Sequence, residues 1–214
     1  MKLKIILSLL VIPVFIAGLN AGEQKKRPVR LLFYIDSHLT TTTIIEYDRS
    51  GEVQKMSSFE RGRLTDYAKY QYDSDNHLSV ERTFDPSGIL TRTRKYIYDD
   101  SGLMIRQNVY SSDQKPVEYL LFTHNGKALQ KIDYYKTDNI LHETIEFIYS
   151  GNILRSMVYT KIGKYIMVIN SIYNKDMLLT GHDIKHSSAD VKISTEYIYE
   201  DGFATEQALQ LIFR

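Results

Sequence analysis

An aromatic residue recurs about every 25 residues in this chain, and in most copies a turn residue and an aliphatic residue follow it at the same distances. Tyr47, Gly51 and Val53 give one copy, with the turn residue four positions and the aliphatic residue six positions after the ring. The aromatic positions are Tyr47, Tyr72, Tyr98, Phe122, Phe147, Tyr173 and Tyr199. A repeat of this length indicates one supersecondary unit stacked many times, which constrains the fold more than any other feature.

A second aromatic series lies halfway between the first and divides each unit into two halves of about 12 residues. Its clearest members are Phe84, Tyr135 and Tyr159. Each half fits a strand of about eight residues plus a turn of about four, so the unit is predicted to be a β-hairpin. Pairs such as Tyr96 and Tyr98 place two rings on one face of a strand.

The predicted fold is therefore all-β, built from antiparallel β-hairpin repeats. About seven units of about 25 residues would give up to fourteen strands. Open twisted sheets rarely exceed about ten strands without curling, so we expect a long curled or coiled sheet. Tetrapeptides that begin with Asp and end with Gly, at 48–51, 85–88 and 99–102, are predicted to form its turns.

The first residues are typical of an export signal. Lys2 and Lys4 precede an uncharged run at 5–17, and small residues follow it. This run is shorter than the roughly 20 residues that span a bilayer, so residues 1–21 are predicted to be a cleaved signal peptide. Residues 22–30 are assigned to a basic tether and residues 31–214 to the repeat domain. An uncleaved membrane anchor is the alternative, and cleavage would leave no stable membrane insertion.

Composition excludes several function classes. The chain has no Cys, which rules out disulfides, thiolate metal sites and a Cys nucleophile. The net charge is only +1, so no overall electrostatic attraction to nucleic acid is expected. The sequence lacks nucleotide-binding and hydrolase motifs, and no cofactor is predicted.

Three copies of the repeat contain Tyr-Asp at the strand end, namely Tyr47-Asp48, Tyr72-Asp73 and Tyr98-Asp99. This pattern resembles the YD repeat of exported bacterial Rhs and wall-associated proteins. The resemblance extends from about residue 44 to residue 202 and is degraded in four units. It implies a β-hairpin scaffold that serves as a binding or envelope module. The period here is longer than the family's usual one, and the chain is too short to form a shell around a toxin.

Few residues are arranged for chemistry. Asp36-Ser37-His38 contains the residue types of a triad but is expected to be a strand-end turn. His182, Asp183, His186 and Asp190 are the best metal candidates, although a solvated loop is the preferred interpretation. His77 and His124 are expected to lie unpaired at one sheet edge. Acidic turn residues that could attract calcium are Asp73, Asp75, Asp99 and Asp100, but they are expected to cap turns.

The best candidate for a contact surface combines basic and aromatic residues. These are Arg92, Arg94, Tyr96, Tyr98 and Arg106. Interleaved cations and rings can stack sugars or anionic polymers, whereas a simple solvated face is the alternative interpretation.

Three functions are considered. The leading hypothesis is a non-catalytic protein, exported to the periplasm or secreted, that binds an envelope or secreted protein or a glycan through a Tyr-rich sheet face. The first alternative is an outer-membrane β-barrel, for which fourteen strands is an allowed number. The second is a hydrolase with a site in the curl of the sheet, for instance around Glu143 and Glu146. The oligomeric state is not predicted.

Overall fold

The computed structural model describes residues 28–151, 153–162, 164–175, 179–187 and 192–199. All regular structure in these ranges is β-strand, in fourteen segments. The strands are β1 (Pro28–Ile35), β2 (His38–Tyr47), β3 (Val53–Glu60), β4 (Arg63–Tyr72), β5 (Leu78–Phe84), β6 (Leu90–Tyr98), β7 (Met104–Ser111), β8 (Pro116–Asn125), β9 (Ala128–Lys136), β10 (Leu141–Ser150), β11 (Ile153–Lys161), β12 (Lys164–Tyr173), β13 (Leu179–His186) and β14 (Ile193–Tyr199).

Strand β1 begins at Pro28, inside the segment that sequence assigned to the tether. The predicted signal peptide, residues 1–21, lies outside the described residues. Within the described ranges, no helix is long and apolar enough to cross a membrane.

The fourteen strands close into a single antiparallel barrel, in which every strand pairs with its neighbours in sequence and β1 pairs with β14. Leu31 faces Tyr197 and Phe33 faces Thr195 across this closing pair. The prediction of a long curled or coiled sheet was therefore wrong. An open sheet leaves two edges of unpaired backbone groups, and closure pairs both of them. Closure is also the architecture expected for the outer-membrane alternative rather than for the open sheet of the leading hypothesis.

Much of the face that points into the lumen is apolar and almost inaccessible to solvent. Met157 and Ile169 on adjacent strands are both 0% exposed and face each other. They belong to one cluster whose buried members lie on β1 and on β7 to β14, from Phe33 to Ile193. Side chains from around the barrel therefore fill this part of the lumen, which is packed like a protein core rather than open like a pore.

The repeated tyrosine is the recurring link between neighbouring strands at one rim. Tyr72 ends β4, and its hydroxyl donates a hydrogen bond of 3.0 Å to the carbonyl oxygen of Val53 at the start of β3. Five further tyrosines make the same bond over 2.6–2.9 Å to a carbonyl 19 or 20 residues earlier. They are Tyr47, Tyr98, Tyr149, Tyr173 and Tyr199. A register shift precedes the tyrosine in each pairing with the next strand that is described.

Two copies of the repeat are aligned differently in the structure than the sequence suggested. The rim positions in the fourth and fifth units are His124 and Tyr149, each two residues after the predicted Phe122 and Phe147. The turn after β8 has only two residues, Gly126 and Lys127, so the ring-to-turn distance is shorter there. Counting from the turn therefore selected the wrong ring.

The predicted Asp-to-Gly turns are confirmed. The Asp48 carboxylate accepts hydrogen bonds from the backbone N–H groups of Ser50 and Glu52, both at 2.9 Å. Gly51 has a φ of 87°, a conformation that side chains with a Cβ rarely adopt. Asp85 and Asp99 cap their turns in the same way.

Candidate functional site

The basic and aromatic residues singled out from the sequence do not form one surface. Arg94 and Tyr96 are buried in the lumen at 7% exposure each, whereas Arg106 lies on the outer face against the ring of Tyr119. Arg92 faces the lumen near Glu118, with 3.7 Å between Nη1 and Oε1. Tyr98 is one of the rim tyrosines.

The luminal members of that set belong to a satisfied polar network on β5 to β7, beside the apolar cluster. Glu81 pairs with Arg94, and it also accepts a hydrogen bond of 2.9 Å from the Tyr96 hydroxyl. Gln107 donates to the same hydroxyl over 3.3 Å. Burial and the nearby Glu81 carboxylate raise the pKa of Tyr96 well above its ordinary value. Because each charge has a partner and both tyrosine and carboxylate are buried, this network stabilises the lumen rather than exposing a reactive group.

The carboxylates considered for a hydrolytic site are separated by the sheet. Glu143 faces the lumen, where Lys161 donates to it over 3.0 Å. Glu146 is exposed on the outer face, where it lies directly across from Lys131 in the strand register. Glu143 and Glu146 therefore cannot act on one substrate together.

The metal candidate is also separated. Residues 179–186 form strand β13 rather than a loop, so His182 points into the lumen and Asp183 points outward. His182 is 2% exposed, and burial lowers its pKa to about 4. Asp190 lies outside the described residues. In the described ranges no group of three or more His, Cys, Asp or Glu side chains could hold a metal ion.

Of the four acidic turn residues, Asp73 and Asp99 act as caps, as predicted, whereas Asp75 donates its own backbone N–H to Asp73. The Asp73 carboxylate accepts from the backbone N–H groups of Asp75 and His77 at 3.0 and 2.8 Å. Asp99 accepts from two backbone N–H groups in the same way. His77 is not unpaired as expected, because its ring stacks on Tyr98 at 4.6 Å and lies 3.8 Å from the Asp73 carboxylate.

The other two sequence candidates at turns are also placed. Asp36 and Ser37 form the two-residue turn between β1 and β2, both with positive φ, so the expected strand-end turn is confirmed. His124 occupies the rim position of its unit, and burial lowers the pKa of its imidazole below the ordinary value.

The outer face of β3 to β9 carries a surface that the sequence did not indicate. Rings and cations alternate across it in direct contact. Lys55 lies over Tyr67, which stacks on Phe84 at 5.1 Å, and Lys69 lies over Phe84. We call this surface the aromatic–cation stripe, and its members are Lys55, Tyr67, Lys69, Arg82, Phe84, Lys95, Arg106, Tyr110, Tyr119 and Tyr135.

The far half of the aromatic–cation stripe repeats this arrangement. Lys95 lies 5.1 Å from the ring centre of Tyr110, and the Arg106 guanidinium lies 4.4 Å from that of Tyr119. Tyr119 in turn stacks on Tyr135 with centroids 5.0 Å apart and planes 7° apart. Such contacts hold the rings in fixed orientations, so the stripe is a preorganised surface rather than a set of loose side chains.

The stripe could have been found from the sequence only by knowing which residues of each strand point outward. Lys95 and Arg94 are adjacent in sequence but lie on opposite faces of β6. Alternation predicts that separation, yet it does not say which face is outside. Five strands then contribute one cation each to a single face, and that alignment follows from strand register alone.

Comparisons with known proteins do not assign a family. No family model matches, and no curated protein matches. A solved porin-like protein from Bacteroides uniformis ATCC 8492 matches 80% of this chain and 86% of its own, with 12% identity and a TM-score of 0.45. A porin-like protein from Bacteroides vulgatus ATCC 8482 matches 83% of this chain and 100% of its own, with 8% identity and a TM-score of 0.33.

A third solved structure, titled TcdB2-TccC3-TEV, matches 74% of this chain but only 10% of its own length, with 13% identity and a TM-score of 0.34. At these identities and TM-scores, none of the three transfers a function to this chain.

Proposed function

We propose that this protein is an exported, non-catalytic β-barrel of the cell envelope that binds an envelope component, a protein or a glycan, through the aromatic–cation stripe. The observation that carries the proposal is the outward alternation of rings and cations, best seen where Arg106 packs on Tyr119 and Tyr119 on Tyr135. Aromatic and Arg side chains are the groups most enriched where proteins bind partners.

The contents of the lumen support binding at the outside. Met157, Ile169 and Met167 are 0–2% exposed, so side chains fill the lumen at their level. A ligand there would have to displace a packed core, whereas the outer rings are already partly exposed.

The pairing of the buried charges supports the absence of catalysis. Glu81 is held by Arg94, and Glu143 is held by Lys161. A general acid or base needs a proton that it can exchange with a substrate, and a carboxylate fully engaged with a cation is poorly suited to this.

The charges on the outer face are relevant to where the protein lies in the envelope. Lys69, Arg82 and Lys95 lie on the outward face in the middle of consecutive strands. Each Lys or Arg placed against lipid at the bilayer midplane costs roughly 2–4 kcal/mol in a transmembrane barrel. We therefore propose that this face is in water, at the periplasmic or external side of the envelope.

An outer-membrane barrel is the second candidate. The closed barrel with an even number of antiparallel strands, fourteen in all, favours it, as do the strands of up to ten residues. Heat-modifiable mobility in SDS and extraction only by detergent would support this candidate over the first. Release from the envelope by salt or carbonate would support the first.

We also propose that the chain is a divergent YD-repeat protein. The six rim tyrosines that donate to a carbonyl on the preceding strand support it, because they give the Tyr of the motif one structural role throughout the barrel. The Asp of the motif caps the turn that follows, as Asp48 and Asp73 do.

Sedimentation with washed envelopes tests the binding proposal. The protein, purified from cells that express the full chain, is expected to bind saturably. Replacing Tyr110 and Tyr119 together by Ala should remove most of this binding. In the matched control variant, Ile148 and Ile172 are replaced by Ala. Both are exposed apolar residues elsewhere on the outer face, and this variant should bind normally. Equal binding by the two double variants, or no binding by the unaltered protein, would refute the proposal.

A further inference from the structure

The part of the aromatic–cation stripe on β3 to β7 is uniformly basic, unlike the rest of the outer face. The outward positions in the strands β3 to β7 include Lys55, Lys69, Arg82, Lys95 and Arg106 and no acidic residue. On β9, where the stripe ends, the outer face alternates in sign instead, with Lys131 beside Asp133 at 2.7 Å between Nζ and Oδ2.

Most of these cations lack a counter-charge. Lys55 pairs with Glu46 at 2.9 Å, but Lys69, Arg82, Lys95 and Arg106 have no carboxylate within 4.0 Å among the described residues. Four positive charges are therefore available to an anionic ligand.

The cations also face one another. Lys55 is directly opposite Lys69, and Lys69 is directly opposite Arg82. Like charges at opposed positions of neighbouring strands destabilise a sheet. An anion bound along the row would relieve this repulsion, so binding and stability are coupled at this surface.

Besides the positive charges, the stripe offers a ligand a series of aromatic rings. Tyr67, Phe84, Tyr110, Tyr119 and Tyr135 are partly exposed and alternate with the cations. From β4 to β9 they extend over five strand spacings, about 24 Å. A pyranose ring presents C–H groups that pack on an aromatic face, and a chain of sugars offers such rings at regular intervals.

The ratio of cations to rings distinguishes the classes of polyanion. Four cations without a carboxylate partner accompany five rings, roughly one charge for each ring. Duplex DNA carries one charge per about 1.7 Å, and proteins bind it with a much larger cation excess than a chain of net charge +1 offers. An acidic polysaccharide carries about one charge per one or two sugars, which suits the observed ratio.

We propose that the aromatic–cation stripe is a binding site for an acidic polysaccharide, with sugar rings packed against the exposed parts of Tyr67, Phe84, Tyr110 and Tyr119 and acidic groups held by Lys69, Arg82, Lys95 and Arg106. This inference rests on the proposed function, since it names the ligand class of the same surface.

Affinity electrophoresis tests this inference directly. The protein purified from cells that express the full chain is run through gels containing polygalacturonate, alginate or hyaluronate, and through gels containing neutral dextran. We expect retardation by at least one acidic polymer that weakens as salt rises, and no retardation by dextran. Absence of retardation by all three acidic polymers, or equal retardation by dextran, would overturn the inference.

Double variants test whether the stripe is the cause of the retardation in the gel. Replacing Lys95 and Arg106 by Gln should weaken binding about tenfold, and replacing Tyr110 and Tyr119 by Ala should weaken it by a similar factor while preserving salt dependence. The charge-matched control replaces Lys164 and Lys185 by Gln, which are exposed on β12 and β13. Far-UV circular dichroism establishes that each variant is folded. Equal losses in the control and the stripe variants would contradict the assignment.

The two proposals can fail separately. Stripe variants that lose envelope binding while the unaltered protein ignores every acidic polymer would leave the proposed function standing and overturn this inference. Tighter binding to duplex DNA or to anionic lipid vesicles than to any acidic polysaccharide would also overturn it.

Discussion

The hydroxyl of Tyr72 donates a hydrogen bond of 3.0 Å to the carbonyl oxygen of Val53, and the same bond recurs at five other tyrosines around one rim. Each bond ties the end of one strand to the start of the strand before it. The Tyr of the sequence repeat is therefore a structural side chain, and its ring also packs towards the lumen.

Replacing Tyr72 by Phe should lower the free energy of unfolding by about 1 kcal/mol, because the ring stays and only the hydrogen bond is lost. Urea denaturation followed by circular dichroism measures this change. The control is Tyr110→Phe on the outer face, which should change stability by less. A Tyr72→Phe variant as stable as the unaltered protein would show that the rim bond contributes nothing.

His124 occupies the rim position in the fourth unit, where the other units have a tyrosine. Replacing His124 by Tyr should add a seventh bond, to the carbonyl oxygen of Met104 at the start of β7. The expected gain is about 1 kcal/mol, again from urea denaturation. Replacing His124 by Phe supplies the ring without the hydroxyl, so a gain equal to that of Tyr would mean that the hydrogen bond is not the cause.

Breaking the buried ion pair of Glu81 and Arg94 should change the free energy of unfolding more than losing a rim hydrogen bond. Replacing Arg94 alone by Met should cost about 3–5 kcal/mol, because the Glu81 carboxylate is left buried without its cation. Replacing Glu81 by Gln in the same chain should restore much of the loss, since Gln can still accept from Tyr96. Equal stability of the single and double variants would show that the two charges are not coupled.

Acid should destabilise the barrel through His182. Its pKa is about 4 in the folded protein, against 6.5 ordinarily, so the unfolded chain binds the proton more tightly. The stability contributed by the neutral imidazole is present above pH 6.5 and falls as the pH drops towards 4, by up to about 3 kcal/mol. Replacing His182 by Gln should flatten this part of the stability profile, measured by urea denaturation at each pH. An unchanged slope in the variant would rule out His182 as its source.

Much of the fold followed from local pattern. The repeat spacing predicted up to fourteen antiparallel strands, and the Asp-to-Gly tetrapeptides formed turns as predicted. Closure did not follow, because it depends on pairing between β1 and β14, about 160 residues apart. No local pattern in β1 specifies that partner.

The binding surface was harder to predict for the same reason. Arg94 and Tyr96 do share a face, as their spacing of two requires, but that face is the lumen. The outer contact between Arg106 and Tyr119 joins β7 to β8 and depends on which residues of the two strands are opposite. The two-residue period of a strand gives the alternation of its two faces. Closure of the barrel decides which of the two faces is exposed to solvent.

A packed lumen and an outer face in water are the two central features proposed for this barrel, and cysteine labelling tests both together. The chain has no native Cys, so Lys95→Cys on the outer face and Ile169→Cys in the lumen can each be introduced singly. In envelopes opened without detergent, a membrane-impermeant maleimide should label the Lys95→Cys variant rapidly. It should label the Ile169→Cys variant only after denaturation. Protection of the Lys95→Cys variant until detergent is added, or free labelling of the Ile169→Cys variant, would contradict the account.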